Sequence, residues 1–333
     1  MTIPLSILDL APIAPGQTAR ESFAASVALA QTAEKHGYTR VWYAEHHNMP
    51  TIASSATAVL VGHVAAQTES IRLGAGGVML PNHSPLVIAE QFGTLAELYP
   101  DRIDLGLGRA PGSDQTTARA MRRDLRASDQ FPQDVMELQA YLRGQSVIAG
   151  VQAVPGGGTN VPLYILGSSL FGAQLAAALG LPYTFASHFA PDSLFEAVAT
   201  YRRDFTPSEQ LDKPYVLVAA NVVAADDAAD ATQQFETIRR ARVRGMISRG
   251  PATPDYTDEQ IDNFIATSPQ GQQLADMMRY SAVGTPSDVR AFLEDFAEKT
   301  KADELMLAHQ ATDIADRLHS VELTAAAMNG ALV

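Results

Sequence analysis

Short apolar runs alternate with longer stretches of helical periodicity along nearly all of this 333-residue chain, and that alternation narrows the fold more than any single motif. The spacing predicts strands over 5–10, 40–44, 71–75, 103–107, 163–166, 183–186, 215–223 and 304–307. Helices are predicted over 20–36, 56–67, 85–98, 131–142, 171–179, 192–205, 226–244 and 313–328. Pro85 suits a first helical turn, and Gly180 suits a helix stop. Strand–helix repetition implies a parallel sheet with right-handed crossovers. Eight such units favour a closed α/β barrel, a (β/α)8 TIM barrel, over an open doubly wound sheet. The glycines agree, because no G-x-G-x-x-G follows the first strand, and Gly106-Leu107-Gly108 lacks the third glycine. The whole of 1–333 therefore reads as one domain. An irregular insert covers 110–130. A longer one, 245–282, precedes the eighth strand and carries Gly250, Pro251, Pro254, Pro269 and Gly271. It reads as a mobile lid, with a helix over 285–299 returning the chain to the barrel.

Composition removes several classes of function. With no cysteine, disulfides, thiolate zinc sites and cysteine nucleophiles are excluded. A hydrophobic content of 46% is enough for a large core. A formal charge of −13 repels nucleic acid and anionic membranes, so an anionic cofactor would need a local basic pocket. No apolar run approaches the roughly 20 residues of a membrane helix. The first residues carry no basic group ahead of their short apolar run, which makes a poor signal peptide. A cytoplasmic protein without membrane or nucleic-acid partners is expected.

The chemistry-bearing residues fall where the predicted strands end, the rim at which a parallel barrel works. Glu45-His46-His47 follows the second strand. Successive residues leaving a strand point to opposite sides, so one histidine can face the mouth while the other packs outward. A neutral imidazole there serves as general acid or base, or as a hydrogen-bonded structural group. The spacing does not suit a metal, and none is expected. Ala75-Gly76-Gly77 ends the third strand, either as bare backbone for a flat ring system or as a tight turn. Gly108-Arg109 ends the fourth, and Arg109 can fork to phosphate oxygens or form a surface ion pair. Arg119, Arg122, Arg123 and Arg126 follow, as a solvated face or as further phosphate contacts. Gly167-Ser168-Ser169 opens a helix whose N-terminus suits a phosphate monoester, although a serine N-cap without ligand has the same sequence. Arg109 and Ser168-Ser169 lie on neighbouring strand ends, so a phosphate can sit between them. His188 and His309, after the sixth and eighth strands, and Asn221, near the end of the seventh, are either mouth residues or packed polar groups.

In order along the chain, these segments resemble the bacterial luciferase-like flavin monooxygenases, a family that includes coenzyme F420-dependent oxidoreductases. The likeness rests on Val41-Trp42-Tyr43-Ala44-Glu45-His46-His47, on 73–85 with Leu80-Pro81 and His83-x-Pro85, on 102–109, on 163–182, and on Val283-Gly284-Thr285-Pro286. The small bacterial subgroup with Asp-Leu-Ala-Pro near the start and Leu-Gly-Leu-Gly-Arg-Ala-Pro-Gly at the fourth strand is the most similar. The resemblance implies a homodimeric barrel with reduced FMN at its mouth, supplied by a separate flavin reductase, acting with O2 on a small organic substrate. It implies His46 as the catalytic acid/base and a cis non-proline peptide at Ala75–Gly76 beneath the isoalloxazine. It also implies that Ala75, Gly76, Gly77, Arg109, Gly167, Ser168 and Ser169 bind the cofactor. Gly108 and Ser168 replace a cysteine and a glutamate of the light-emitting enzymes, and Pro132 and Gln133 fall near their second phosphate arginine, so no light emission is expected. An F420-dependent oxidoreductase and a flavin-binding protein without turnover are the alternatives.

Overall fold

The structure, a computed structural model, describes residues 3–110, 114–248 and 256–330. Pro111 and Gly112 of the fourth-strand motif, and Gly250, Pro251 and Pro254 of the expected lid, lie outside the described residues. The strands are β1 (Leu5–Asp9), β2 (Arg40–Tyr43), β3 (Arg72–Met79), β4 (Ile103–Gly108), β5 (Leu163–Gly167), β6 (Tyr183–Phe185), β7 (Val216–Ala224), β8 (Ser281–Gly284) and β9 (Glu304–His309). The first helices are α1 (Ala19–Lys35), α2 (Thr57–Ala65), α3 (Pro85–Leu98), α4 (Gln115–Ala120), α5 (Phe131–Leu142) and α6 (Leu170–Leu179). They are followed by α7 (Leu194–Asp204), α8 (Ala228–Ile247), α9 (Asp258–Thr267), α10 (Pro269–Asp276), α11 (Pro286–Thr300) and α12 (Ile314–Met328).

Every pairing between these strands is parallel. The ring runs β6-β5-β4-β3-β2-β1-β9-β7 and closes through β6–β7, which is the expected TIM barrel. One strand was not legible from pattern. Four residues, Ser281–Gly284, bond to the upper end of β7 outside the ring, so the eighth barrel strand is β9. Among the described residues, the insertion before β9 carries two helices. The Thr257–Gln260 capping box starts α9, Pro269 opens α10, and both helices pack on α8 through Val243, Ile261, Ile265, Phe264 and Leu274. As expected, α6 ends at Gly180 in the left-handed region, φ 63°.

Alternation along the strands sorts the barrel's two sides. Ile7, Val41, Leu73, Leu105, Ile165, Val218 and Leu307 face outward into the core under the helices. The interior is layered. At its closed end Arg40 donates to Asp104 (2.7 Å), Glu304 (2.9 Å) and the Tyr164 hydroxyl (2.7 Å), while Tyr215 and Ser6 donate to Glu304. All of these charges are buried, so each depends on the others. Above them lies the chain's one tryptophan, Trp42, with Leu8, Leu217, Ala219 and Met306. So large a ring leaves no room opposite. A Cβ on Gly76 would stand 2.8 Å from the Trp42 Cβ, and one on Gly106 2.4 Å from the Ala75 carbonyl oxygen. Gly76 of β3 is the complement of that indole, whereas Gly106 of β4 answers to the backbone of β3 and to Leu166.

Candidate active site

The site is built on the strand ends at the open side of the barrel. Where β2 ends, parity turns Glu45 outward and His46 inward. The buried Glu45 carboxylate accepts from the Met79 amide (3.0 Å), from Nε2 of His47 (2.8 Å), from Nε2 of His83 (2.8 Å) and from Asn82 (3.3 Å). Burial opposes its charge, but the bonds from His47 and His83 prevail and bring the carboxyl down to about 2. The same bond holds His47 above the ordinary histidine value. His46 goes the other way. Burial lowers it despite the nearby Glu45 charge, and its Nδ1 is buried with no hydrogen-bond partner. At neutral pH it is a neutral imidazole, suited to exchanging a proton. Glu45, His47 and His83 are also a cluster whose candidate metal-ligand atoms, one from each, lie within 4.8 Å of one another, a grouping that sequence spacing does not show for His83. Both imidazoles already donate the relevant nitrogen to the carboxylate, so the three groups satisfy one another.

The cis non-proline peptide joins Gly76 to Gly77, one residue beyond the Ala75–Gly76 bond expected from the resemblance. Ala75 faces outward and is fully buried in the core beneath the helices, so its side chain turns away from the mouth. The glycines do not simply leave bare floor. A Cβ on Gly77 would come within 2.6 Å of the Gly106 carbonyl oxygen, so close backbone approach requires glycine there. What lies beside them is apolar: Leu8 reaches Gly76 and Leu166 reaches Gly77, and Leu10 and Leu166 pack partly buried on the Trp42 cluster.

The third corner combines β4 and β5. Arg109 is exposed, and its guanidinium carbon lies 4.1 Å from the ring centroid of Phe171, in the first turn of α6. Ser169 holds the N-cap position, yet its side chain makes no capping bond. The helix N-terminus is thus presented with its hydroxyl uncommitted and a cation stacked at its edge, a donor set suited to a phosphate. Gly167 and Ser168 precede it at the same strand end, and a Cβ on Gly167 would meet nothing nearer than 3.7 Å. Arg119, Arg122, Arg123 and Arg126 are all exposed, and Arg126 is paired with Asp124.

Across the mouth, β6 lies four strands from β2 in the eight-stranded ring. His188 there is buried, with Nδ1 unpartnered, and its carbonyl accepts from the Asn221 amide (2.8 Å). Burial, then the positive fields of Arg242 and His46, lower the imidazole to about 3. His188 and Asn221 therefore belong to the rim. His309 does not: its Nδ1 meets the Ser320 hydroxyl at 2.9 Å on the helix side of β9, where burial lowers it to about 3. Arg242 was missed from sequence because it sits in an arginine-rich helix that reads as a solvated face.

The comparisons with known proteins agree with this architecture. The family model for luciferase-like monooxygenases matches residues 3–304. A luciferase-like monooxygenase of Escherichia coli (strain K12) is 52% identical over 324 residues, covering 97% of this chain and 96% of the relative. The crystal structure of apo-MsnO8 superposes with a TM-score of 0.86 at 34% identity, covering 98% of each chain. The fold is also shared with the FMN complex of the oxygenating constituent of 3,6-diketocamphane monooxygenase from Pseudomonas putida (17% identity, TM-score 0.71, 99% of each chain). An F420-dependent secondary alcohol dehydrogenase has it too (15%, TM-score 0.72, 98% of this chain and 99% of that one). The chain belongs to the luciferase-like monooxygenase family.

Proposed function

We propose that this luciferase-like monooxygenase is the oxygenating component of a two-component system, binding reduced FMN delivered by a separate flavin reductase and oxidising a small organic substrate with O2 in the cytoplasm. One observation carries the reading: Arg109 is stacked on the first turn of α6 beside an uncommitted Ser169, at the same barrel mouth as His46. When bound, reduced flavin supplies the electrons that activate oxygen. The chain's own residues do the rest. Arg109, Ser168 and Ser169 hold the phosphate. The backbone at Gly76–Gly77, with Leu10 and Leu166, supports the flat ring on an apolar floor that excludes water. His46, neutral and partly desolvated, holds or moves a proton at its imidazole. The segment 245–282 closes over the mouth. Hydride transfer with F420 is the competing reading, favoured only by the exposed Arg119, Arg122 and Arg123 beyond Arg109, which offer charge for a longer anionic tail.

Anaerobic fluorescence titration with reduced FMN, FMN and F420 tests it. Reduced FMN is expected to bind best, with Arg109→Ala weakening it by about 1–3 kcal/mol, roughly 5- to 150-fold. His46→Ala is expected to keep the affinity and lose oxygen-dependent turnover. Preference for F420 would move the protein to hydride transfer.

A further inference from the structure

Arg242 is the exception among the arginines of α8. Arg239 pairs with Glu236, Arg240 with Asp262 (2.8 Å) and Arg244 with Asp258. Arg242 is half-buried and has no hydrogen bond, ion pair or ring contact among the described residues. Its direction follows from the helix. Ala231, Phe235 and Ile238 pack against Val223, Ala225 and Val283 of the β7–β8 edge, and Arg242 continues their stripe one turn further. That places it at the corner where Asn221 bridges the His188 carbonyl and the Ser281 hydroxyl (2.8 and 3.3 Å). The charges of both Arg242 and His46 act on His188, in keeping with an arginine at the mouth end of this corner. Burial pulls the Arg242 guanidinium below its ordinary value, and no acid offsets the pull. A desolvated cation without a partner, in a chain with 37 acidic residues available, is a receptor for an anion. The flavin phosphate has its own corner at Arg109 and α6, between β4 and β5, whereas Arg242 stands by β6 and β7.

We propose that Arg242 binds an anionic group of the substrate, so that the substrates of this enzyme are small organic acids, carboxylates or sulfonates, oriented with the reacting atom toward His46. The inference rests on the flavin monooxygenase reading for its reaction, but not for its binding site. The guanidinium fork matches two oxygens of either acid, and a neutral analogue would leave it desolvated and unpaired.

The test uses simple probes. Trp42 is the only tryptophan and lies directly beneath the mouth, so its fluorescence reports occupancy. The intact protein is titrated with benzoate and methanesulfonate against benzamide and methanesulfonamide. The anions are expected to bind at least tenfold more tightly than their neutral isosteres. Arg242→Gln should abolish that preference while leaving the affinity for reduced FMN unchanged, and Arg242→Lys should retain part of it. Equal binding of acid and amide by the native protein, or a preference that survives in Arg242→Gln, overturns the proposal. So does loss of reduced-FMN binding in Arg242→Gln with retention in Arg109→Ala, which would give Arg242 to the cofactor phosphate. Anion preference in a protein that binds no reduced flavin would support the anion site while defeating the monooxygenase reading.

Discussion

Glu45 accepts hydrogen bonds from His47, His83 and the Met79 amide at once, and through them β2 fixes the end of β3 beside the cis Gly76–Gly77 peptide. In Glu45→Gln the shape is kept, but an amide replaces an acceptor that several donors share. The expected loss is about 3 kcal/mol of stability at pH 7, read by denaturant unfolding. The pH dependence has a definite sign. The folded carboxyl titrates at about 2, below its ordinary 4.5, so its charge stabilises the fold fully above pH 4.5, and that contribution disappears as pH falls toward 2. The stability gap between the native protein and Glu45→Gln should close over that interval. A gap that persists at pH 2, or no gap at pH 7, would contradict the role given to Glu45. At this scale the sequence was only partly informative. It singled out the Glu45-His46-His47 triplet and the parity that separates the two histidines. It marked His83 only as part of a motif and did not reveal Arg242, because what joins them to the site is tertiary contact rather than spacing along the chain.

Among the elements, β3 makes room for the indole at Gly76, and β3 and β4 approach too closely at Gly106 to admit a side chain. Gly106→Ala would push a methyl against the Ala75 carbonyl oxygen and Leu166, at 2.4 and 2.5 Å, and neither the sheet nor the packed interior can yield. A loss of about 2–3 kcal/mol is expected. Gly245 gives the opposite sign: it is an exposed residue of α8 with open space around it, so Gly245→Ala should stabilise by about 0.5–1 kcal/mol. Chemical denaturation of the two variants checks both, and a neutral Gly106→Ala would refute the packing account. The helices were legible because capping residues and apolar stripes are local signals. β8 was not, because four residues on the flank of a barrel have no period to read. The Gly76–Gly77 peptide was displaced by one residue from expectation because a family likeness carries no backbone geometry.

For the whole molecule, alternation of strand and helix was enough to specify a closed barrel, since each unit must bury the same two faces. The outside of the barrel carries an uncovered apolar face. Val59 of α2 (73% exposed) and Val87 and Leu98 of α3 (44% and 63%) leave apolar side chains uncovered on adjacent helices. A homodimer through α2 and α3 is the proposed use of that face. Sedimentation should give a dimer for the native protein and a monomer for Leu98→Asp, and a native monomer would remove the proposal. The central claim concerns the mouth itself. A crystal structure of the protein with FMN tests it most directly. The account predicts the phosphate between Arg109 and Ser168–Ser169, the ring over Gly76–Gly77, and His46 facing it. A flavin phosphate held by Arg242, or a flavin bound away from the strand ends, would contradict the account.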